Sequence, residues 1–181
     1  MRVAIVSSVE SAREHWTSDV SDSYQVTIGI NWACYHWCFD YVATWDALVW
    51  RHNGGNDVIW PAFGIVYSGK SLPDDVATVA SSKGLRVESF PRMTDCTTTF
   101  PNALEWALRC FPAADIDIYG MDMDGRQGLA PWPDSRCHSS TRWDVEKRWI
   151  RHIMSDAKRQ VKLIGCRVPA GEVLDSRCLR A

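Results

Sequence analysis

Arg2-Val3-Ala4-Ile5-Val6-Ser7-Ser8-Val9-Glu10-Ser11-Ala12-Arg13-Glu14-His15-Trp16 is the stretch that decides the fold. Within residues 2–7 the apolar side chains of Val3, Ala4, Ile5 and Val6 follow one another on both faces of the pleat, as in a strand buried between two layers. Ser8 and Ser11 then offer hydroxyls to the open amides of a helix start, so the unit reads strand, turn, helix. The unit returns at once. Residues 24–30 are a β-branched strand, and Asn31 is placed to cap a short helix over residues 32–38. A third strand over residues 41–45 ends on Asp46, runs into residues 47–51 and turns at residues 52–56.

Further along, residues 57–60 and 64–68 are short strand candidates separated by Pro61, and Pro73 opens a helix through residue 80. Another strand follows at residues 85–90. Thr99 caps a helix whose stripe at positions 103, 104, 107, 108 and 111 is apolar, with Pro101 in its first turn. Residues 115–120 form a strand, residues 126–141 an aperiodic loop suited to a lid, residues 142–158 a long helix, and residues 161–164 a closing strand. Strands separated by helices demand right-handed crossovers, which predicts an α/β domain over residues 1–168 with a mainly parallel sheet and a tail at 169–181. In such sheets ligands bind outside the carboxyl ends of the strands.

Composition narrows the function. With 20 Lys and Arg against 22 Asp and Glu, the net charge of -2 disfavours wrapping a polyphosphate backbone over the whole surface. Residues 3–6 are too short an apolar run for a secretory core or a membrane span, so a cytoplasmic protein without a membrane span is expected. Seven cysteines, an odd number spread along the chain, read as reduced thiols and not as a disulfide framework. Cys34 and Cys38 share a helical face while His36 points away and no second pair follows, so no metal site is expected there. The ten tryptophans read chiefly as packing.

Polar residues at successive strand ends are the candidate site. Ser7 and Ser8 replace the glycine-rich dinucleotide turn, yet their hydroxyls and the following helix amides suit one phosphate. Asn31 has capping and ribose or base contact as competing roles, and Asp46 has helix capping, hydroxyl binding or a hydrated metal. Thr97, Thr98 and Thr99 add hydroxyls at another strand-to-helix junction. Asp122 and Asp124 flank Met123 beyond a strand and suit a divalent ion or a hydroxylated acceptor, or simply the turn at Gly125. His138, in the lid segment, has the right chemistry for a general base, and Arg142 reads as a phosphate donor or the partner of Glu146.

Taken in order, Val3-Ala4-Ile5-Val6-Ser7-Ser8, Ile30-Asn31-Trp32-Ala33, Asp40-Tyr41-Val42-Ala43-Thr44-Trp45-Asp46, Thr98-Thr99-Phe100-Pro101-Asn102-Ala103-Leu104, Ile116-Asp117-Ile118-Tyr119-Gly120-Met121-Asp122 and Arg142-Trp143-Asp144-Val145-Glu146 resemble the landmarks of a Rossmann-like group. The group holds bacterial sialyltransferases with a cytidine-monophosphate sugar donor, archaeal-type hydroxymethylpterin pyrophosphokinases and many small phage or prophage members. Ser7-Ser8-Val9-Glu10-Ser11 stands where its transferases carry Gly-x-Gly-Pro-Ser. The resemblance implies a three-layer Rossmann-like fold with Asn31 on the nucleotide, Asp46 at the nucleotide or acceptor pocket, Asp122 lining the site and His138 as the base. The function it implies is glycosyl transfer from a nucleotide sugar to a saccharide or modified-base hydroxyl. The alternatives are magnesium-dependent pyrophosphoryl transfer to a small heterocyclic alcohol, with Asp46 and Asp122 holding the metal, and a non-catalytic phage-associated binding protein.

Overall fold

The computed structural model describes residues 1–67, 71–90, 99–121, 140–156 and 161–165, with the backbone alone at 53, 54, 140–143, 146, 154 and 156. Its strands are β1 (Arg2–Val6), β2 (Val26–Ile30), β3 (Tyr41–Thr44), β4 (Gly64–Tyr67), β5 (Arg86–Ser89), β6 (Asp115–Tyr119) and β7 (Val161–Ile164). The helices are α1 (Glu10–His15), α2 (Ser18–Ser21), α3 (Leu48–Arg51), α4 (Asp74–Ser82), α5 (Thr99–Cys110) and α6 (Ser140–Asp156). Two 3-10 turns, Asn31–Tyr35 and His52–Gly55, follow β2 and α3.

All neighbouring strands pair parallel, in the order β5-β4-β3-β2-β1-β6-β7. The chain builds outward from β1 to β5 and then crosses back to lay β6 on the other side of β1. Strand order therefore reverses between β1 and β6, which is where a doubly wound sheet opens a crevice at its carboxyl ends. Both faces are covered. Val3, Ile5, Ile28, Ile116 and Ile118 pack with Leu104 and Trp106 of α5 and with Ile150 and Ile153 of α6. On the other face Ala4, Val6, Val42 and Ile65 pack with Ala12 of α1, Trp50 of α3 and Val76 and Ala80 of α4. The result is a three-layer α/β, Rossmann-like architecture, as the strand–helix alternation predicts.

Several local expectations shift. Residues 57–60 form no strand, because Val58 turns inward and Ile59 donates its amide to the carbonyl of Cys34 at 2.8 Å, away from any ladder. Val9, not a serine, is the cap of α1 and makes no side-chain cap bond. The segment after β2 is a 3-10 turn that Asn31 begins from inside, so it does not cap an α-helix. The stripe of α5 is as expected: Ala103, Leu104 and Ala107 are buried and Leu108 and Phe111 pack against them. The lid segment lies outside the described residues except for its last two positions, which already belong to α6, and the tail at 169–181 lies outside them entirely.

Candidate functional site

The end of β1 is fastened to the end of β6 by the Ser7 amide, which donates to the Tyr119 carbonyl at 2.9 Å. Ser7 is buried and Ser8 half-buried, so this turn keeps little backbone open. The glycine missing from it is supplied by the neighbouring strand. Gly120 takes a left-handed φ of 66°, and a Cβ there would stand 2.7 Å from the Ala12 amide nitrogen and 2.8 Å from the Ala12 Cβ. Helix α1 thus rests directly on the backbone of Gly120, the close approach that a glycine in the first turn ordinarily permits.

One strand over, Asn31 is the only non-glycine with positive φ among the described residues, at 47°. Asparagine tolerates this region better than most side chains, and the turn aims its amide across the sheet. The Thr99 hydroxyl donates to Asn31 Oδ1 at 3.2 Å, joining the carboxyl end of β2 to the first residue of α5 across 68 positions of sequence. Thr99 and Asn102 are both buried in the first turn of α5. The amino end of this twelve-residue helix, the positive end of its dipole, therefore stands at Asn31 on the rim. The Cys34 thiol donates to the Asn31 carbonyl at 3.1 Å, and burial pushes that thiol up to about 12. A protonated, buried thiol serves here as a packing group.

Asp46 lies at the end of the next strand, β3. Its Oδ1 accepts the Leu48 amide at 2.8 Å and its own amide donates to Thr44 Oγ1 at 3.2 Å, an Asx turn that starts α3. The hydroxyl of Tyr35 donates to the Val49 carbonyl at 2.8 Å and locks the turn after β2 onto α3. Burial pushes the Tyr35 phenol up to about 12. Trp32 meets both Tyr35 and His52 ring to ring, at centroid distances of 5.1 and 6.0 Å. Trp32 is itself buried, and these rings pack the turn after β2 against the segment after α3.

Ser7, Ser8, Asn31 and Asp46 accordingly share one rim, brought there by β1, β2 and β3. Asp122, Thr97, Thr98 and His138 lie outside the described residues, and Arg142 is described only as backbone in the first turn of α6. Among the described residues no group of three His, Cys, Asp or Glu is set to hold a metal ion.

A polar network escaped the sequence reading. Under the face that α1 covers, Asp117 Oδ2 accepts from Arg2 at 2.8 Å and from the Tyr24 hydroxyl at 2.5 Å. The Tyr24 and Tyr119 hydroxyls lie 2.8 Å apart, and the Arg2 guanidinium sits 4.4 Å from the Tyr24 ring centre. Burial and the bond to Asp117 hold the Tyr24 phenol far above its ordinary range. An acid between Ile116 and Ile118 in a buried strand was the available signal, since such a carboxylate requires partners.

No family of known proteins, no curated protein and no solved structure matches this chain. The Rossmann-like part of the resemblance stands on the sheet itself, and its link to sialyltransferases and pterin pyrophosphokinases rests on the short motifs alone. No helix among the described residues is long and apolar enough to cross a membrane.

Proposed function

We propose that this chain binds a nucleotide at the carboxyl rim and uses it as the donor in glycosyl transfer to a hydroxyl acceptor. The observation that carries the reading is the junction of Asn31 and Thr99, which sets a side-chain amide and a helix amino end side by side at the end of β2. A helix amino end favours an anion such as a phosphate, and an asparagine amide suits a ribose or base edge.

In this reading Thr97, Thr98, Ser7 and Ser8 add donors toward phosphate, Arg142 neutralises the departing group, and Asp46 and Asp122 face the sugar hydroxyls. His138 takes the proton of the acceptor hydroxyl as its oxygen attacks the anomeric carbon. The bond from that carbon to the donor phosphate oxygen breaks, and the electron pair leaves with the nucleoside phosphate.

Isothermal titration with nucleoside mono- and diphosphates, nucleotide sugars and ATP with magnesium tests the first step. Saturable binding of a nucleotide without metal, followed by release of nucleoside phosphate when a saccharide is added, is expected. Binding of ATP only with magnesium would shift the chemistry to pyrophosphoryl transfer. Silence toward the whole panel would remove the nucleotide and leave a binding protein on this fold.

A further inference from the structure

We infer that the outer edge of β5 is a self-association surface, through which two copies of this chain pair antiparallel about a two-fold axis at Val87. Strand β5 ends the sheet, and among the described residues no strand pairs with its outer side. The amides of Arg86 and Phe90 donate inward to the carbonyls of Phe63 and Tyr67, each at 3.0 Å. Hydrogen-bonding direction alternates along a strand, so the N–H and C=O of Val87 and Ser89 point away from β4. An antiparallel partner centred on Val87 forms the closely spaced pair in which two residues exchange both backbone bonds.

The charges select that register. Arg86 and Glu88 flank Val87 on the same face of β5 and already pair within the strand at 2.9 Å. A two-fold axis through Val87 sets Arg86 of each copy opposite Glu88 of the other, so the four groups alternate in sign. Sliding the axis to residue 88 would set Glu88 against Glu88, which like-charge repulsion opposes. The opposite edge lacks this pattern, because β7 carries Lys162 as its one charged residue. Val87 is left 38% exposed and Val79, on the helix leading into β5, 41%. These are the apolar side chains that a second copy would cover. Charge on an edge strand usually discourages pairing, and here the order of the charges admits one partner arrangement and rejects its neighbours.

Sedimentation equilibrium on the full chain tests this, with a reversible dimer expected across the micromolar range. V87P deletes the outward amide and should give a monomer. R86E places glutamate opposite Glu88 and should weaken the dimer by about tenfold or more. The exchange R86E/E88R restores alternating signs and should recover the dimer, with thermal melting of each variant reporting the fold. A wild-type chain that stays monomeric, or a dimer that ignores R86E, overturns the inference. Should V87P unfold, the charge-exchange pair decides alone. Neither outcome bears on nucleotide binding, which uses the carboxyl rim.

Discussion

Two polar regions of this molecule use similar residues to opposite ends. Beneath α1, Arg2, Tyr24, Asp117 and Tyr119 bind one another, and Asp117 is almost wholly buried. On the rim the side chains of Asn31, Thr99 and Asp46 make one bond each among the described residues, and the second oxygen of Asp46 and the amide nitrogen of Asn31 have no partner among those residues. The buried set is a closed network, whose members leave an uncompensated charge or hydroxyl if one is removed. The rim set is open, held in place by bonds that do not exhaust it. Polar groups satisfied by each other stabilise the fold, and those held but unsatisfied are suited to a ligand.

Alkali should act on both regions, through Tyr24 in the closed network and through Cys34 and Tyr35 in the turn after β2. Burial raises the Cys34 thiol from 9.0 to about 12 and the Tyr35 phenol from 10.0 to about 12, and it raises Tyr24 further. These groups are neutral when folded, and the unfolded chain loses its protons more readily. Their stabilisation is complete below the unfolded values near 9.0 and 10.0 and is lost as pH climbs toward about 12. Chemical denaturation at stepped pH should show the midpoint falling across that interval, and a flat profile would contradict the burial of these groups.

Next in size is Asp117→Ala, which removes the carboxylate that both Arg2 and the buried Tyr24 hydroxyl donate to and leaves them with each other and Tyr119. A loss of about 3 kcal/mol in denaturant unfolding is expected, held to the lower end because Arg2 is half exposed. Nucleotide affinity should not follow it. Gly120→Ala forces a side chain into a left-handed φ and against Ala12, and should cost about 1–3 kcal/mol. It touches both regions, since Gly120 ends the strand bearing Asp117 and Tyr119 and also seats α1 at the rim. Loss of stability together with loss of nucleotide affinity is its expected signature.

The smallest effect on stability belongs to Asn31→Gly. Glycine accepts a φ of 47° without strain, so the melting temperature should hold or rise. Affinity for nucleotide should fall by about tenfold, near 1.4 kcal/mol, because the amide is gone. Unchanged affinity in this variant would show that Asn31 serves the turn alone.

Much of the fold was legible because period and punctuation are local. The apolar run in β1 and the stripe on α5 need only near neighbours, and such local signals recover β1, β4, β5, α5, β6 and β7 closely. Residues 57–60 misled for the same reason: apolar side chains bury equally well in an irregular segment, and a strand needs a partner that sequence does not name. Asn31 was visible as a polar residue after a strand, yet its left-handed backbone and its bond to Thr99 were not. From sequence Thr99 reads as the cap of its own helix, whereas its hydroxyl reaches the end of a strand 68 residues earlier.

By itself the sequence determined most of the segments that become strands and helices, residues 57–60 and the turn after β2 excepted, since these follow from side-chain period and turn chemistry. Only tertiary structure decided the order of the strands, the reversal between β1 and β6, the seat of α1 on Gly120 and the partners of Asp117. The physical reason is range. Propensity acts over a few residues, whereas a buried carboxylate or a left-handed glycine is explained only by atoms that the fold brings back from a hundred residues away.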